Sequence, residues 1–149
     1  MRHNLILVAI FLATLSMINA IPHQLNKRAT TFTTCPSGLS PNTLTATLQP
    51  DPPIAGQDCA ITATGTFAIT EGSKLLVQVF DFAANVVGEP LTADICTTGG
   101  VTCPTDGITP FNIVDKVTIP ADAPQPFALA ISVVDTTGNI LGCTFGATG

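Results

Sequence analysis

Seven short segments of the sequence alternate apolar and polar residues, and this alternation limits the chain to β structure. Side chains of a strand point alternately to opposite faces, so a period of two indicates a strand with one buried face. The turns between the segments are rich in glycine and proline. We place the strands by their apolar residues, at 44–48, 61–69, 75–79, 91–95, 111–119, 127–133 and 140–145. Together they predict an all-β fold, an immunoglobulin-like antiparallel sandwich of two sheets with about seven strands.

The first twenty residues have the pattern of a secretory signal peptide. A short basic start precedes an apolar run, and the small residue Ala20 suits cleavage by signal peptidase. The run is too short to span a membrane stably. Residues 1–20 are therefore predicted to be removed from the mature protein.

A second processing site is predicted directly after the signal peptide. Residues 21–28 end in the dibasic pair Lys27 and Arg28, which is typical of a pro-peptide cleavage site. An incidental basic pair in a flexible leader is the alternative. Cleavage there leaves 29–149 as a single mature domain. Its first residues, 29–34, are rich in threonine and are expected to lead into the first strand.

The mature chain is strongly acidic. After Arg28 two lysines stand against ten acidic residues, a net charge of −8, and there is no arginine or histidine. Binding to nucleic acid needs clustered cations, so we expect no nucleic-acid partner. Without histidine there is no histidine-dependent nucleophile system, and no pair of carboxylates stands out as hydrolytic. We therefore expect no enzyme, no cofactor and no metal site.

All five cysteines lie in the predicted exported part, where disulfides are the default. Two consecutive glycines between Cys96 and Cys103 allow the chain to reverse, which favours a local bridge between these two. Cys35 and Cys143 stand near the two ends of the mature chain. Cys59 falls on the apolar face of a strand, which favours a buried free thiol. Pairing of Cys59 with Cys35 or Cys143 stays open.

Several short motifs follow one another in a fixed order along the mature chain. They are Cys35, P-D-P-P-I-A-G at 50–56, A-T-G-T at 63–66, Glu71-Gly72, Cys96, Cys103-Pro104, Gly107, I-P at 119–120 and T-G-N-I-L-G-C at 137–143. Their order and spacing resemble the ML (lipid-recognition) domain family. This family includes fungal phosphatidylglycerol/phosphatidylinositol transfer proteins and the Niemann-Pick type C cholesterol carriers.

The resemblance implies two splayed sheets with an apolar cavity between them that takes up one sterol or phospholipid. It also implies the disulfides Cys35–Cys143 and Cys96–Cys103. The side chains that we expect to line the cavity are Phe67, Ile69, Leu75, Val77, Val79, Ile113, Val117, Phe127, Leu129, Ile131 and Val133.

The function implied by this family is lipid binding and lipid or sterol transport. Such a protein is expected to be a monomer whose partner is a lipid ligand, with transient membrane contact. We expect it to be secreted or to lie in the lumen of the secretory or vacuolar pathway. The alternative is a secreted structural or interaction module whose core is filled by its own side chains.

Overall fold

A computed structural model of the chain describes residues 28–36, 38 and 40–149. Within these ranges it has eight strands and no helix, and so no helix of the length and apolarity needed to cross a membrane. Ala20 and Lys27, with the predicted signal peptide and most of the predicted pro-peptide, lie outside the described residues. The strands are β1 (Thr31–Thr34), β2 (Asn42–Gln49), β3 (Asp58–Gly65), β4 (Lys74–Phe80), β5 (Val86–Asp94), β6 (Phe111–Thr118), β7 (Ala128–Val134) and β8 (Ile140–Ala147).

The strands form two sheets that pack face to face. The larger sheet has the order β5-β4-β7-β8-β1, and the smaller one the order β2-β3-β6. A short parallel contact joins the sheets at one edge, where Asn42 and Thr43 of β2 pair with Gly142 and Cys143 of β8. The other ladders are antiparallel. The all-β sandwich that the alternation predicted is therefore confirmed.

The extra strand, β1, comes from the threonine-rich segment that the sequence placed before the first strand. Thr31 to Thr34 pair with Ala147 to Thr144 of β8. Of the four β1 side chains only Phe32 is partly buried against the core. A strand with a single apolar residue shows no period of two, which is why the alternation missed it.

Two strand boundaries also differ from the sequence pattern. β5 begins at Val86, in a stretch expected to be a turn, and β3 ends at Gly65 although the apolar alternation continues to Ile69. Phe67 and Ile69 are buried without a neighbouring strand, because the Thr105 side chain replaces the ladder. Its Oγ1 accepts from the Ile69 amide at 2.7 Å and donates to the Phe67 carbonyl at 3.0 Å.

The hydrophobic core lies between the sheets and is built from their inward-facing side chains. β7 contributes most, since Leu129, Ile131 and Val133 are fully buried. Facing them, Ile61 and Ile113 of the smaller sheet are equally buried. The inward faces of both sheets are therefore predominantly apolar, and the half-buried Asp115 of β6 is an exception.

Candidate functional site

The eleven side chains expected to line a cavity all lie in the interior between the sheets. Each is at most 8% exposed, and all belong to one hydrophobic cluster. Three come from β4, two from β6, three from β7, two from the segment after β3, and Phe127 from the residue before β7. Burial of this kind fits a lipid-binding interior and a filled core alike, so the role of these residues in ligand binding stays a prediction.

The sheets are hydrogen-bonded to each other at only one edge. At the opposite edge, in the part of the chain that the structure describes, β5 pairs with β4 alone and β6 with β3 alone. A cleft of about 490 Å³ lies between β5 and β6, with Leu91, Ala93 and Val117 among its lining residues. Parting the sheets here breaks no ladder hydrogen bond, although the Val114 amide of β6 donates to the Gly99 carbonyl in the loop after β5 at 3.2 Å. This edge is the candidate opening to the interior.

Polar side chains surround that opening. Asp94, Asp115 and Lys116 line the same cleft. Asp115 has the inward parity of β6 and is an exception among the apolar residues of that face. Its Oδ1 accepts a hydrogen bond from the Lys116 amide at 2.8 Å, and the side chain is half-buried. The exception therefore lies at the edge of the interior, where a carboxylate can still reach water.

Two aromatic rings close one end of the interior. Phe67 and Phe111 meet edge to face, with ring centroids 4.8 Å apart. The Phe67 ring lies against Gly65 in the smaller sheet and Gly142 in the larger one, and a Cβ on either glycine would collide with the ring. Both glycines are thus required by close packing, and Phe67 fills the gap between the two sheets at this end.

The disulfides are those that the family resemblance implied. Cys35 bonds to Cys143, and Cys96 bonds to Cys103 beside the end that Phe67 and Phe111 close. Cys59 is free and buried, and burial raises the pKa of its thiol. Within the described ranges, no group of three or more histidine, cysteine and carboxylate side chains could hold a metal ion.

Four aspartates fix the loops at the ends of the sandwich. Asp81, Asp94, Asp106 and Asp135 each accept hydrogen bonds from amides or side chains that follow them within four residues. These bonds lower the pKa of every one of the four carboxyl groups. For Asp135 the pKa falls to about 2, chiefly through hydrogen bonds from the side chains of Thr137 and Asn139.

The Asp135 loop is expected to lose its contribution to stability in acid. Because the pKa of this carboxyl group falls from 3.8 to about 2 on folding, its contribution is complete above pH 3.8 and disappears as the pH approaches 2. Asp135→Asn should therefore lower the free energy of unfolding at pH 7 and have little effect at pH 2. Urea unfolding of both proteins at several pH values measures this. A difference that does not change with pH would contradict it.

A second apolar pocket lies outside the sandwich, where the sequence predicted no site. It occupies about 530 Å³ on the outer face of the larger sheet, over the outward residues of β7: Ala128, Ala130 and Ser132. Phe80 and Phe145 line the two sides of this pocket. The signal in the sequence is the absence of large polar groups at these three positions, where a solvated strand normally carries them.

The fold and these sites can be compared with known proteins. The family model of the ML domain matches residues 29–146, so the chain belongs to the ML domain family and the resemblance is confirmed. No curated protein sequence matches the chain significantly.

Two solved structures share the fold. A Niemann-Pick type C2 protein from the Japanese carpenter ant has a TM-score of 0.59 and 14% identity over 79% of this chain and 98% of that one. Chicken MD-1, solved in complex with lipid IVa, has a TM-score of 0.51 and 11% identity over 78% of this chain and 86% of that one. At such low identity the likeness extends to the fold alone.

Proposed function

We propose that this protein binds one lipid molecule in the apolar interior between its two sheets and carries it through a secreted or luminal compartment. The observation that carries the proposal is an interior of apolar side chains between sheets joined at a single edge. Membership of the ML domain family supports it. So does the structural neighbour MD-1, which was solved with lipid IVa.

Hydrocarbon burial supplies the driving force for such binding. Each methylene group transferred from water gains about 0.8 kcal/mol, so a long acyl chain contributes on the order of 10 kcal/mol before entropic costs. The site needs apolar walls and an opening, and no catalytic group. The chain is therefore proposed to be a binding protein rather than an enzyme.

The charges favour a ligand without net charge, either a sterol or a neutral phospholipid. The mature chain has two lysines. Lys116 Nζ forms an ion pair with Asp58, 2.6 Å away, and Lys74 lies opposite Asp94 in the β4–β5 ladder. Both cations thus have an acidic neighbour, and an anionic headgroup would have to compete with it.

The cysteine chemistry and the predicted leader support the proposed compartment. Two disulfides require oxidising conditions, which a secreted or luminal protein meets. The predicted signal peptide at residues 1–20 and the predicted cleavage after Arg28 fit the same route. We propose that the mature protein is a monomer that contacts membranes only while it takes up or releases its ligand.

Native mass spectrometry tests the lipid proposal. The disulfide-intact chain 29–149 is incubated with mixed sterols and phospholipids, and we expect one adduct per chain whose mass gives the lipid class. Ala63→Leu puts a larger side chain into the interior and should abolish the adduct, provided that circular dichroism shows it folded. Ala60→Leu, on the same strand but exposed, is the matched control and should retain the adduct.

A second candidate function is favoured by the closed state of the interior. None of the eleven expected lining residues is more than 8% exposed. An interior filled to native density would make the protein a structural or interaction module without ligand. Bare protein in the mass spectrum, under conditions that preserve non-covalent complexes, would support this function and contradict lipid binding.

A further inference from the structure

We propose that the pocket on the outer face of the larger sheet is a second binding site, for a neutral alkyl compound that carries one hydroxyl group. This site does not depend on the proposed lipid site between the sheets. Its volume of about 530 Å³ lies within the range of ligand pockets.

The pocket has an apolar floor and aromatic sides. β7 lies between β4 and β8, and its small outward side chains Ala128 and Ala130 leave room above the strand. Phe80 of β4 and Phe145 of β8 approach each other across β7, with ring centroids 6.4 Å apart. Phe82 stands in the next loop, lines the same pocket and is 70% exposed. Such a surface favours hydrocarbon over water.

Strand alternation separates this pocket from the interior. Leu129 and Ile131 point inward and are fully buried in the core between the sheets. Ala128, Ala130 and Ser132 alternate with them and line the outer pocket. A ligand in one site therefore cannot touch the side chains of the other, although both sites share β7.

The charge at the pocket excludes anionic ligands. Among the described residues that line it there is no lysine or arginine, and Asp81 is the one charged residue. The Asp81 carboxylate stays ionised because Asn85 and Ala83 donate hydrogen bonds to it. A fatty-acid carboxylate or a phosphate would meet this negative charge without a compensating cation. The preferred occupant is therefore neutral.

One buried hydroxyl group gives the pocket a polar contact. Ser132 is 3% exposed and lines the pocket. Its Oγ donates to Cys143 Sγ at 3.3 Å, and sulfur is a weak acceptor. A ligand hydroxyl or carbonyl oxygen would be a better acceptor for this group. The Gln78 side-chain amide is also in the lining and offers a second polar contact.

Both ends of the pocket are held in place before any ligand binds. On one side Asp81 accepts from the amides of Ala83 at 2.9 Å and Asn85 at 2.8 Å, which fixes the loop that carries Phe82. On the other side the disulfide joins Cys35, directly after β1, to Cys143 of β8. A preformed pocket loses little entropy when it is filled.

The test follows the ¹³C-labelled alanine, isoleucine and leucine methyl signals of the disulfide-intact chain 29–149 by NMR during titration with decan-1-ol. We expect saturable shifts of Ala128 and Ala130, and binding of decanoate at least about ten-fold weaker because of Asp81. Ser132→Ala should weaken the binding of decan-1-ol about five-fold through loss of one hydrogen bond. Ala130→Leu fills the pocket and should weaken the binding of decan-1-ol at least about ten-fold, measured from the shift of the Ala128 methyl signal. Ala60→Leu, on the outer face of the other sheet, should change nothing.

Three results would overturn the outer site. Shifts confined to the inward methyl groups of Leu129 and Ile131 would place the alcohol between the sheets and leave the proposed lipid function standing. Unchanged binding in Ala130→Leu would exclude the pocket as its location. Shifts of Ala128 that follow protein concentration alone, with a doubled mass in solution, would make this face an interface between two copies of the chain.

Discussion

Removing the disulfide between Cys35 and Cys143 is expected to lower the free energy of unfolding by about 5 kcal/mol, on the chain-entropy account of cross-links. The bond joins residues 108 apart and thus closes most of the chain from residue 29 to residue 149 into a loop. The double variant Cys35→Ala/Cys143→Ala leaves neither cysteine of the broken bond behind to form a new disulfide with the free thiol of Cys59. Because small domains have only 5–15 kcal/mol of stability in total, the variant should be close to unfolding at 37 °C.

The second disulfide provides the matched control. Cys96 and Cys103 are 7 residues apart, so their double alanine variant should lose about 2.5 kcal/mol. Denaturant unfolding followed by circular dichroism, without reducing agent, compares the two variants. Equal losses, or a larger loss for the short bridge, would contradict the account and indicate that local strain rather than loop closure decides the effect.

Phe127→Ala is expected to lower the free energy of unfolding by about 3–5 kcal/mol. Phe127 is fully buried and is the largest side chain in that state. Its position is fixed from outside, since its amide donates to Thr148 Oγ1 at 2.9 Å and its carbonyl accepts from the Thr148 amide at 2.9 Å. The backbone therefore cannot move inward to fill the space that the ring leaves, and a cavity remains.

An exposed phenylalanine provides the control that distinguishes the effect of burial on stability from the effect of residue type. Phe82 is 70% exposed, and Phe82→Ala should change stability by no more than about 0.5 kcal/mol. Thermal and denaturant unfolding of the two variants give the comparison. Similar losses in both would mean that Phe127 does not occupy the close-packed interior described above.

The sequence predicted the inward faces of the sandwich because burial there follows the strand period directly. Leu129, Ile131 and Val133 are an example: each is apolar, each alternates with a smaller residue, and each is buried. β1 was missed because its pairing with β8 depends on residues more than a hundred positions away. The apolar alternation predicts a strand through Phe67 and Ile69 because both are buried as strand residues are. Their backbone groups bond to the Thr105 side chain instead of a neighbouring strand, which the alternation does not reveal.

The two candidate sites differ in how far the sequence could predict them. The set of interior residues follows from periodicity, but the opening between β5 and β6 depends on sheet order, which no local pattern contains. The outer pocket depends on β7 lying between β4 and β8, so that Phe80 and Phe145 meet above Ala130. Those contacts join distant parts of the chain, and only the assembled sheet brings them together.

The measurement that tests the central claim most directly locates the bound lipid. The chain 29–149, labelled at isoleucine, leucine and valine methyl groups, is mixed with the unlabelled lipid found by mass spectrometry, and isotope-filtered NOEs are recorded. We predict NOEs from the lipid hydrocarbon to the inward methyl groups of Leu75, Leu129, Ile131 and Val133. Lipid NOEs that reach none of these groups would contradict a binding site between the sheets.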